Sequence, residues 1–269
     1  MKGAMPLRSG LPGRVVVITG ASSGIGAGLA RQLGAKGESV VLAARRRELL
    51  VEVATEIGDN AVPVVTDVTK REEVDHLRDE ALGRFGHVDV WVNNAGRGIN
   101  RKVESLTDDD VRRIVDVVLM SVLYGMQTIL PHFKERRRGH IINVSSALGR
   151  VPLLSYRSIY SASKSSVNAL TSNLRMDLRS EYPDIHVSLV MPGIVDTPFH
   201  QVAGPGLSVR SGGYLGPTRV ESADEVAAKI VELIDNPVPE LYTNPATVEL
   251  VSNYFRDVGA FEENLAKRR

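Results

Sequence analysis

Arg14-Val15-Val16-Val17-Ile18-Thr19-Gly20-Ala21-Ser22-Ser23-Gly24-Ile25-Gly26 is the stretch from which the fold is read. An apolar, β-branched run passes directly into a glycine-rich turn, and a helical spacing begins at once with Leu29 and Leu33. The order is strand, turn, helix. Glycines are needed where a backbone turns sharply and must come close to a phosphate, and the helix amino terminus beyond offers free N–H groups and a positive dipole end. The turn lacks the Gly-Lys-Ser/Thr ending of a Walker phosphate loop, and its spacing differs from Gly-x-Gly-x-x-Gly. Taken alone it is also compatible with a purely structural turn.

Similar apolar runs recur at 39–44, 61–65, 88–92, 140–144 and 185–190. Their apolarity is continuous rather than alternating, which marks strands buried on both faces of a parallel sheet. Helical spacings lie between them, as in Val74, Leu77, Ala81 and again in Ile114, Val117, Val118. Strand and helix therefore alternate. The pattern predicts an α/β protein with a Rossmann-type doubly wound parallel sheet in a three-layer α/β/α sandwich, its ligands lying beyond the carboxyl ends of the strands. Residues 1–13 read as a disordered lead-in and 14–269 as a single domain. Within it, 197–220 is rich in Gly, Ser and Pro, breaks the rhythm and is assigned to substrate recognition. A helix over 223–234 and a short edge strand at 240–243 follow.

Composition narrows the classes of partner. The 269 residues are 43% hydrophobic and 24% charged with a formal net charge of +1, too mild for the clustered basic footprint of a nucleic-acid or membrane partner. A small-molecule partner fits better. With no cysteine there are no disulfides, thiolate metal sites or thiol nucleophiles, and none of the six histidines pairs at metal-ligand spacing, so no metal is expected. No signal peptide or apolar span of ~18 residues is read, and the expected location is the cytoplasm.

Two further groups carry chemistry. The second strand ends in Ala44-Arg45-Arg46-Arg47, where a dinucleotide's adenosine ribose lies in such a fold. An arginine there pairs with a 2′-phosphate where an acidic residue would bind free hydroxyls, which favours NADP(H) and singles out Arg45. Arg46 and Arg47 are explained equally well as a solvated helix start. In Tyr160-Ser161-Ala162-Ser163-Lys164 the Tyr and Lys stand four apart, on one face of a helix. A phenol titrates near pH ~10, so its use as an acid/base group near neutrality calls for a neighbouring cation such as the lysine ammonium. Ser145 and Ser146 end a strand where a hydroxyl can meet a substrate oxygen as charge develops. Ser145 reads better as a cap, whereas the Ser-x-x-Gly spacing to Gly149 singles out Ser146.

In order, TGASSGIG at 19–26, Asp67-Val68, NNAG at 93–96, Ser146, YSASK at 160–164 and Pro192-Gly193 closely resemble the short-chain dehydrogenase/reductase family over about residues 14 to 200. The resemblance implies hydride transfer between NADP(H) and a carbonyl or secondary alcohol. It implies a pyrophosphate held by Gly20, Ser22, Ser23, Gly24, Ile25 and Gly26, and adenine contacts from Asp67 and Val68. Asn94, Ala95 and Gly96 would line the adenosine and ribose side, and Pro192, Gly193, Ile194 and Thr197 would hold the carboxamide. Tyr160 would be the general acid/base, Lys164 would hold the nicotinamide ribose, and Ser146 would orient the substrate oxygen. Family members are often tetramers or dimers formed through helices that correspond here to 107–133 and 155–181. One position departs: Val118 stands where the family commonly has an asparagine that holds a water behind the lysine. Proton resupply through Lys164 is therefore in question, and a dinucleotide-binding sensor or scaffold with little turnover is the rival reading.

Overall fold

A computed structural model of the chain describes residues 13–199 and 219–267. The opening strand β1 (Val15–Thr19) is buried along its whole length and enters α1 (Gly24–Ala35) through the glycine turn. There follow β2 (Ser39–Ala44), α2 (Arg47–Ile57), β3 (Ala61–Val65), α3 (Arg71–Phe85) and β4 (Val90–Asn93). One long helical run comes next, made of α4 (Asp108–Val115), a π-helical turn (Asp116–Met120) and α5 (Ser121–Arg136). It leads through β5 (Gly139–Val144) to α6 (Ser158–Leu178) and β6 (Ile185–Met191). The seven-stranded sheet has the order β3-β2-β1-β4-β5-β6-β9, with β9 (Glu240–Tyr242) at one edge and every pairing parallel. The doubly wound sheet expected from the sequence is the one observed.

Alternate residues of each strand feed opposite layers. Val16, Ile18, Val40, Leu42, Val92 and Ile142 pack with α1, α2 and α7 (Ala223–Asp235). Val15, Val17, Val41, Trp91, Ile141 and Leu189 face the other way, against α3, α5 and α6. Both faces need apolar side chains, which explains the continuous runs. β3 is the exception, because it is an edge strand: Val65 is exposed and Pro63, which has no N–H to donate, sits without cost.

The long run Asp108–Arg136 corrects the expectation that no stretch is apolar enough to span a membrane. Its 29 residues include an 18-residue window of mean hydropathy 1.6, sufficient by length and composition alone. Here α5 lies against β4 and β5, and the run starts from a capping box in which Thr107 and Asp110 exchange hydrogen bonds. The three aspartates 108–110 thus form the start of a helix, where their charge suits its positive dipole end.

Two features near the carboxyl edge had no reading in the sequence. The two-residue strands β7 (Val195–Asp196) and β8 (Glu221–Ser222) pair in parallel, which joins the two ends of the expected substrate loop. Most of that loop, 200–218, lies outside the described residues, as do 1–12 of the expected lead-in. Beneath the edge, α5 approaches the sheet closely at Gly125, over a buried chain of hydrogen bonds. Trp91 Nε1 donates to Asn93 Oδ1 at 2.9 Å, Asn93 Nδ2 to Asn143 Oδ1 at 2.8 Å, and Asn143 Nδ2 to Thr171 Oγ1 at 2.9 Å. A methyl group on Gly125 would come within 2.0 Å of Asn93 Oδ1. Gly125→Ala is therefore expected to lower the unfolding free energy by about 3 kcal/mol, from overpacking plus a broken buried network. Urea titration followed by circular dichroism reads this, and a loss below ~1 kcal/mol would mean that α5 yields without disturbing the asparagines.

Candidate functional site

The carboxyl ends of β1, β2, β4, β5 and β6 surround one cavity of about 430 Å³. Every site residue singled out in the sequence lines it except Gly26. Gly26 lies inside α1, where a Cβ would meet Gly20 O at 2.5 Å and Asn94 Nδ2 at 2.6 Å, so its glycine serves a close approach within the protein. Gly20 and Gly24 have φ of +69° and +56°, conformations that L side chains seldom adopt. Thr19 fixes this turn to the neighbouring strand end: its hydroxyl accepts from Asn94 N at 3.0 Å and from Ala95 N at 3.1 Å. Asn94 Nδ2 donates back to Thr19 O at 2.8 Å. Thr19 was not singled out in the sequence, although it opens the glycine motif.

The amino end of α1 is open. Ser23 makes no capping hydrogen bond and the first turn has no acidic residue, so the N–H groups and dipole end there face the cavity rim uncompensated. Arg46 Nη2 reaches across it to Ser22 Oγ at 3.0 Å and Ser23 Oγ at 2.7 Å. Arg45 lines the same cavity and lies close enough to Asp67 to favour its ionised form. The Asp67 carboxyl is held below its usual range although burial opposes this, because Thr69 N and Oγ1 both donate to Oδ1. Arg46, which the sequence left as a solvated helix start, is the guanidinium that engages the glycine turn.

At the other end of the cavity α6 carries Tyr160 and Lys164, both buried and one above the other. Burial pushes the Tyr160 phenol up to about 12, against the opposing pull of a hydrogen bond with Ser146 and the charge of Arg157. Burial likewise pushes the Lys164 ammonium down to about 8. Lys164 Nζ donates to Val144 O at 2.7 Å and lies 5.9 Å from the centre of the Tyr160 ring. The two serines exchange the capping role expected of them. Ser146 Oγ caps the turn 147–149 by accepting from Leu148 N at 3.2 Å, whereas Ser145 Oγ donates to Asn168 Oδ1 at 2.5 Å. Asn168 Nδ2 also holds Gly149 O at 3.0 Å, so α6 is fastened to the end of β5 at two points. A Cβ on Gly149 would sit 2.9 Å from both Asn168 Nδ2 and the Lys164 backbone, which is the physical content of the Ser-x-x-Gly spacing.

Val118 is fully buried in the π-helical turn and packs with Ile114 against Tyr160. The turn keeps its irregular form without an asparagine, and Ser121 Oγ takes up Val117 O at 2.9 Å. Beside the tyrosine, therefore, stands an apolar side chain that can hold no water.

Residues 14–206 match the family model described as short chain dehydrogenase. The chain belongs to the short-chain dehydrogenase family. It is 34% identical over 236 residues to the uncharacterized oxidoreductase YxnA of Bacillus subtilis, covering 86% of this chain and 65% of that one. Among solved structures it is similar to a short-chain dehydrogenase/reductase from Burkholderia phymatum in complex with NAD, with a TM-score of 0.84, 29% identity and coverage of 92% and 95% of the two chains. It is similar also to serine dehydrogenase complexed with NADP+, with a TM-score of 0.78, 27% identity and coverage of 87% and 95%.

As a short-chain dehydrogenase the chain carries its lysine at a cost to folding. With a folded-state pKa near 8 against 10.5 for the free group, Lys164 binds a proton less readily in the folded state. The penalty is in full force below pH 8, is relieved as the pH rises towards 10.5, and is absent above it. Lys164→Met is accordingly expected to exceed the wild type in unfolding free energy by on the order of 2 kcal/mol at pH 7, with the gap closing by pH ~10. Denaturant titrations at the two pH values test this, and a gap that does not change with pH would contradict the buried ammonium.

Proposed function

We propose that this short-chain dehydrogenase is an NADP(H)-dependent oxidoreductase that reduces the carbonyl group of a small molecule, or oxidises the matching secondary alcohol, with Tyr160 as general acid/base. The observation that carries the reading is the convergence of Tyr160, Ser146 and Lys164 on the same cavity as an uncapped, glycine-built helix terminus.

The residues at the glycine end fit a nicotinamide dinucleotide. The open N–H groups of α1 suit a pyrophosphate, and Arg45 and Arg46 are placed for a 2′-phosphate beside Ser22 and Ser23. Asp67 and Val68 border the adenine position, Asn94, Ala95 and Gly96 the ribose side, and Pro192, Gly193, Ile194 and Thr197 the carboxamide. Bound there, the cofactor supplies or accepts a hydride. In the direction of reduction the carbonyl carbon would accept the hydride as its π electrons pass to oxygen, and Tyr160 would give that oxygen its proton. The Ser146 hydroxyl donates a hydrogen bond to the same oxygen as charge develops. The phenolate left behind is stabilised by the Lys164 ammonium. A phenol at about 12 is fully protonated at neutral pH, and positive charge that stabilises the phenolate is what would make its proton available. Proton recovery does not pass through a side chain at position 118, since valine has no polar atom.

Leu153, Leu154 and Phe199 give the substrate end an apolar wall, which supports a partly lipophilic substrate. Val202 and Leu207, two further apolar residues of the segment 197–220, lie outside the described residues. A cytoplasmic homodimer or homotetramer assembled through the helices 108–136 and 158–178 completes the proposal. Val118 is the one observation that favours the second reading, a dinucleotide sensor or scaffold with little turnover.

Oxidation of NADPH in the presence of ketones and aldehydes is expected to fall by at least ~100-fold in Tyr160→Phe, the size of effect usual for a positioned general acid. Equal nonzero rates would remove Tyr160 from the reaction, and intact NADP+ binding with no turnover in the wild type would favour the sensor. For the cofactor, Arg45→Ala and Arg46→Ala are each expected to weaken NADP+ binding roughly 10–100-fold, the worth of charged hydrogen bonds, and NAD+ binding by no more than about twofold. An unchanged ratio of the two dissociation constants would exclude a 2′-phosphate site at these arginines.

A further inference from the structure

Arg157, immediately ahead of α6, is only 5% exposed and yet lines the cavity. It stands three residues before Tyr160, as Lys164 stands four after it, so the two cations flank the phenol along one helix face. Lys164 is turned towards the end of β5, and Arg157 has its guanidinium 5.9 Å from the Tyr160 ring and 5.5 Å from the Phe199 ring. Gly98 makes room for it: a Cβ there would fall 2.1 Å from Nη1.

What the guanidinium lacks is a counter-charge. Nη1 is buried without a hydrogen-bond partner, and among the described residues no Asp or Glu forms an ion pair with Arg157. The stretches 1–12 and 200–218 contain no Asp or Glu in their sequence and have no side-chain carboxylate to offer. The two aromatic rings offset only part of the cost of burying an unpaired charge. The adjoining amino end of α6 adds to the deficit, with no capping side chain and no acidic residue in its first turn. Burial lowers the affinity of the guanidinium for its proton, a further sign of an uncompensated charge.

Resting on the reductase reading, we infer that Arg157 is the anion-recognition residue of the substrate pocket and that the substrates are oxo or hydroxy acids, whose carboxylate pairs with Arg157 while the carbonyl or hydroxyl oxygen meets Tyr160 and Ser146. The planar fork of an arginine suits a carboxylate in two-point contact, and the apolar wall of Leu153, Leu154 and Phe199 accommodates the carbon chain between the two groups.

The test compares NADPH oxidation with acetoacetate and levulinate against their methyl esters and cyclohexanone, in the wild type, Arg157→Gln and Arg157→Lys. The wild type is expected to prefer an acid over its ester by ~10-fold or more in kcat/KM. Arg157→Gln should erase that preference through a higher KM for the acid, leaving the ester within about twofold. Arg157→Lys, which keeps the charge without the fork, should fall between them. A turnover-free readout accompanies this: butyrate should raise the Tm of the NADP+ complex of the wild type and not that of Arg157→Gln. If acid and ester fall together in both variants, Arg157 acts on Tyr160 or on the fold and the inference is overturned. It is overturned equally if the wild type turns over neutral ketones, shows no preference for acids and gives no butyrate shift, whether or not the variants fold. If butyrate raises the Tm of the wild type and not of Arg157→Gln while no carbonyl compound is reduced, the anion site stands and it is the reductase reading that fails.

Discussion

The site depends first on the Thr19 hydroxyl. That one oxygen accepts from Asn94 N and Ala95 N across two strand ends, while Asn94 returns a hydrogen bond to Thr19 O. A parallel sheet brings all its carboxyl ends to one edge but does not fix how the segments leaving them sit against one another. At this edge side-chain bonds do so. Asn94 and Gly20 hold the glycine turn open to the cavity, and Gly26 lets α1 start close beneath it. On the next strand Ser145 and Asn168 play the equivalent part, fastening α6 so that Tyr160 and Lys164 stand over the end of β5. The cavity is the space left between these two fastenings.

The same fastening sets the chemistry. Tyr160 and Lys164 are buried because α6 is drawn onto the sheet edge at Gly149, and burial moves their proton affinities in opposite directions, the phenol up and the ammonium down. The free protein thus holds a protonated phenol beside a lysine whose proton is easily lost. Drawing the phenol's proton off in the reverse direction would require additional positive charge close to it. A bound oxidised nicotinamide would be one source within the proposed reaction.

Much of this was legible in the residues. Continuous Val/Ile runs implied a sheet covered on both faces, and the one misleading run, 61–65, carries its own mark in Pro63, which belongs to an edge. The glycine turn, Tyr160, Lys164 and Ser146 fall where their spacing implied. What escaped was of a different kind. Thr19 and Asn168 act through hydrogen bonds between elements remote in sequence, and Arg46 was indistinguishable from a solvated helix start until its reach to Ser22 and Ser23 was seen. The pairing of β7 with β8 involves two residues on each side, too few to give a period. Arg157 is the sharpest case. An arginine at a helix start reads as surface, and only the burial that Gly98 permits, together with the absence of an acidic partner among the described residues, makes it part of the pocket.

A formal charge of +1 over the whole chain conceals how the charges are distributed. Arg45 and Arg46 line the glycine end of the cavity, Lys164 and Arg157 the end at Tyr160, and Arg97 also borders it, whereas among the described residues the acidic lining is confined to Asp67, whose carboxylate is already engaged by Thr69. A dinucleotide phosphate neutralises the first end. It does nothing for the guanidinium beyond Tyr160, which a dinucleotide seated on the glycine turn leaves on the substrate side. On the proposed reading the two cationic ends call for two anions, one from the cofactor and one from the molecule that reacts. A neutral ketone would satisfy the apolar wall and the phenol and leave the second end as costly as it was before binding; the oxo acid proposed as substrate would relieve it at the moment the carbonyl is aligned.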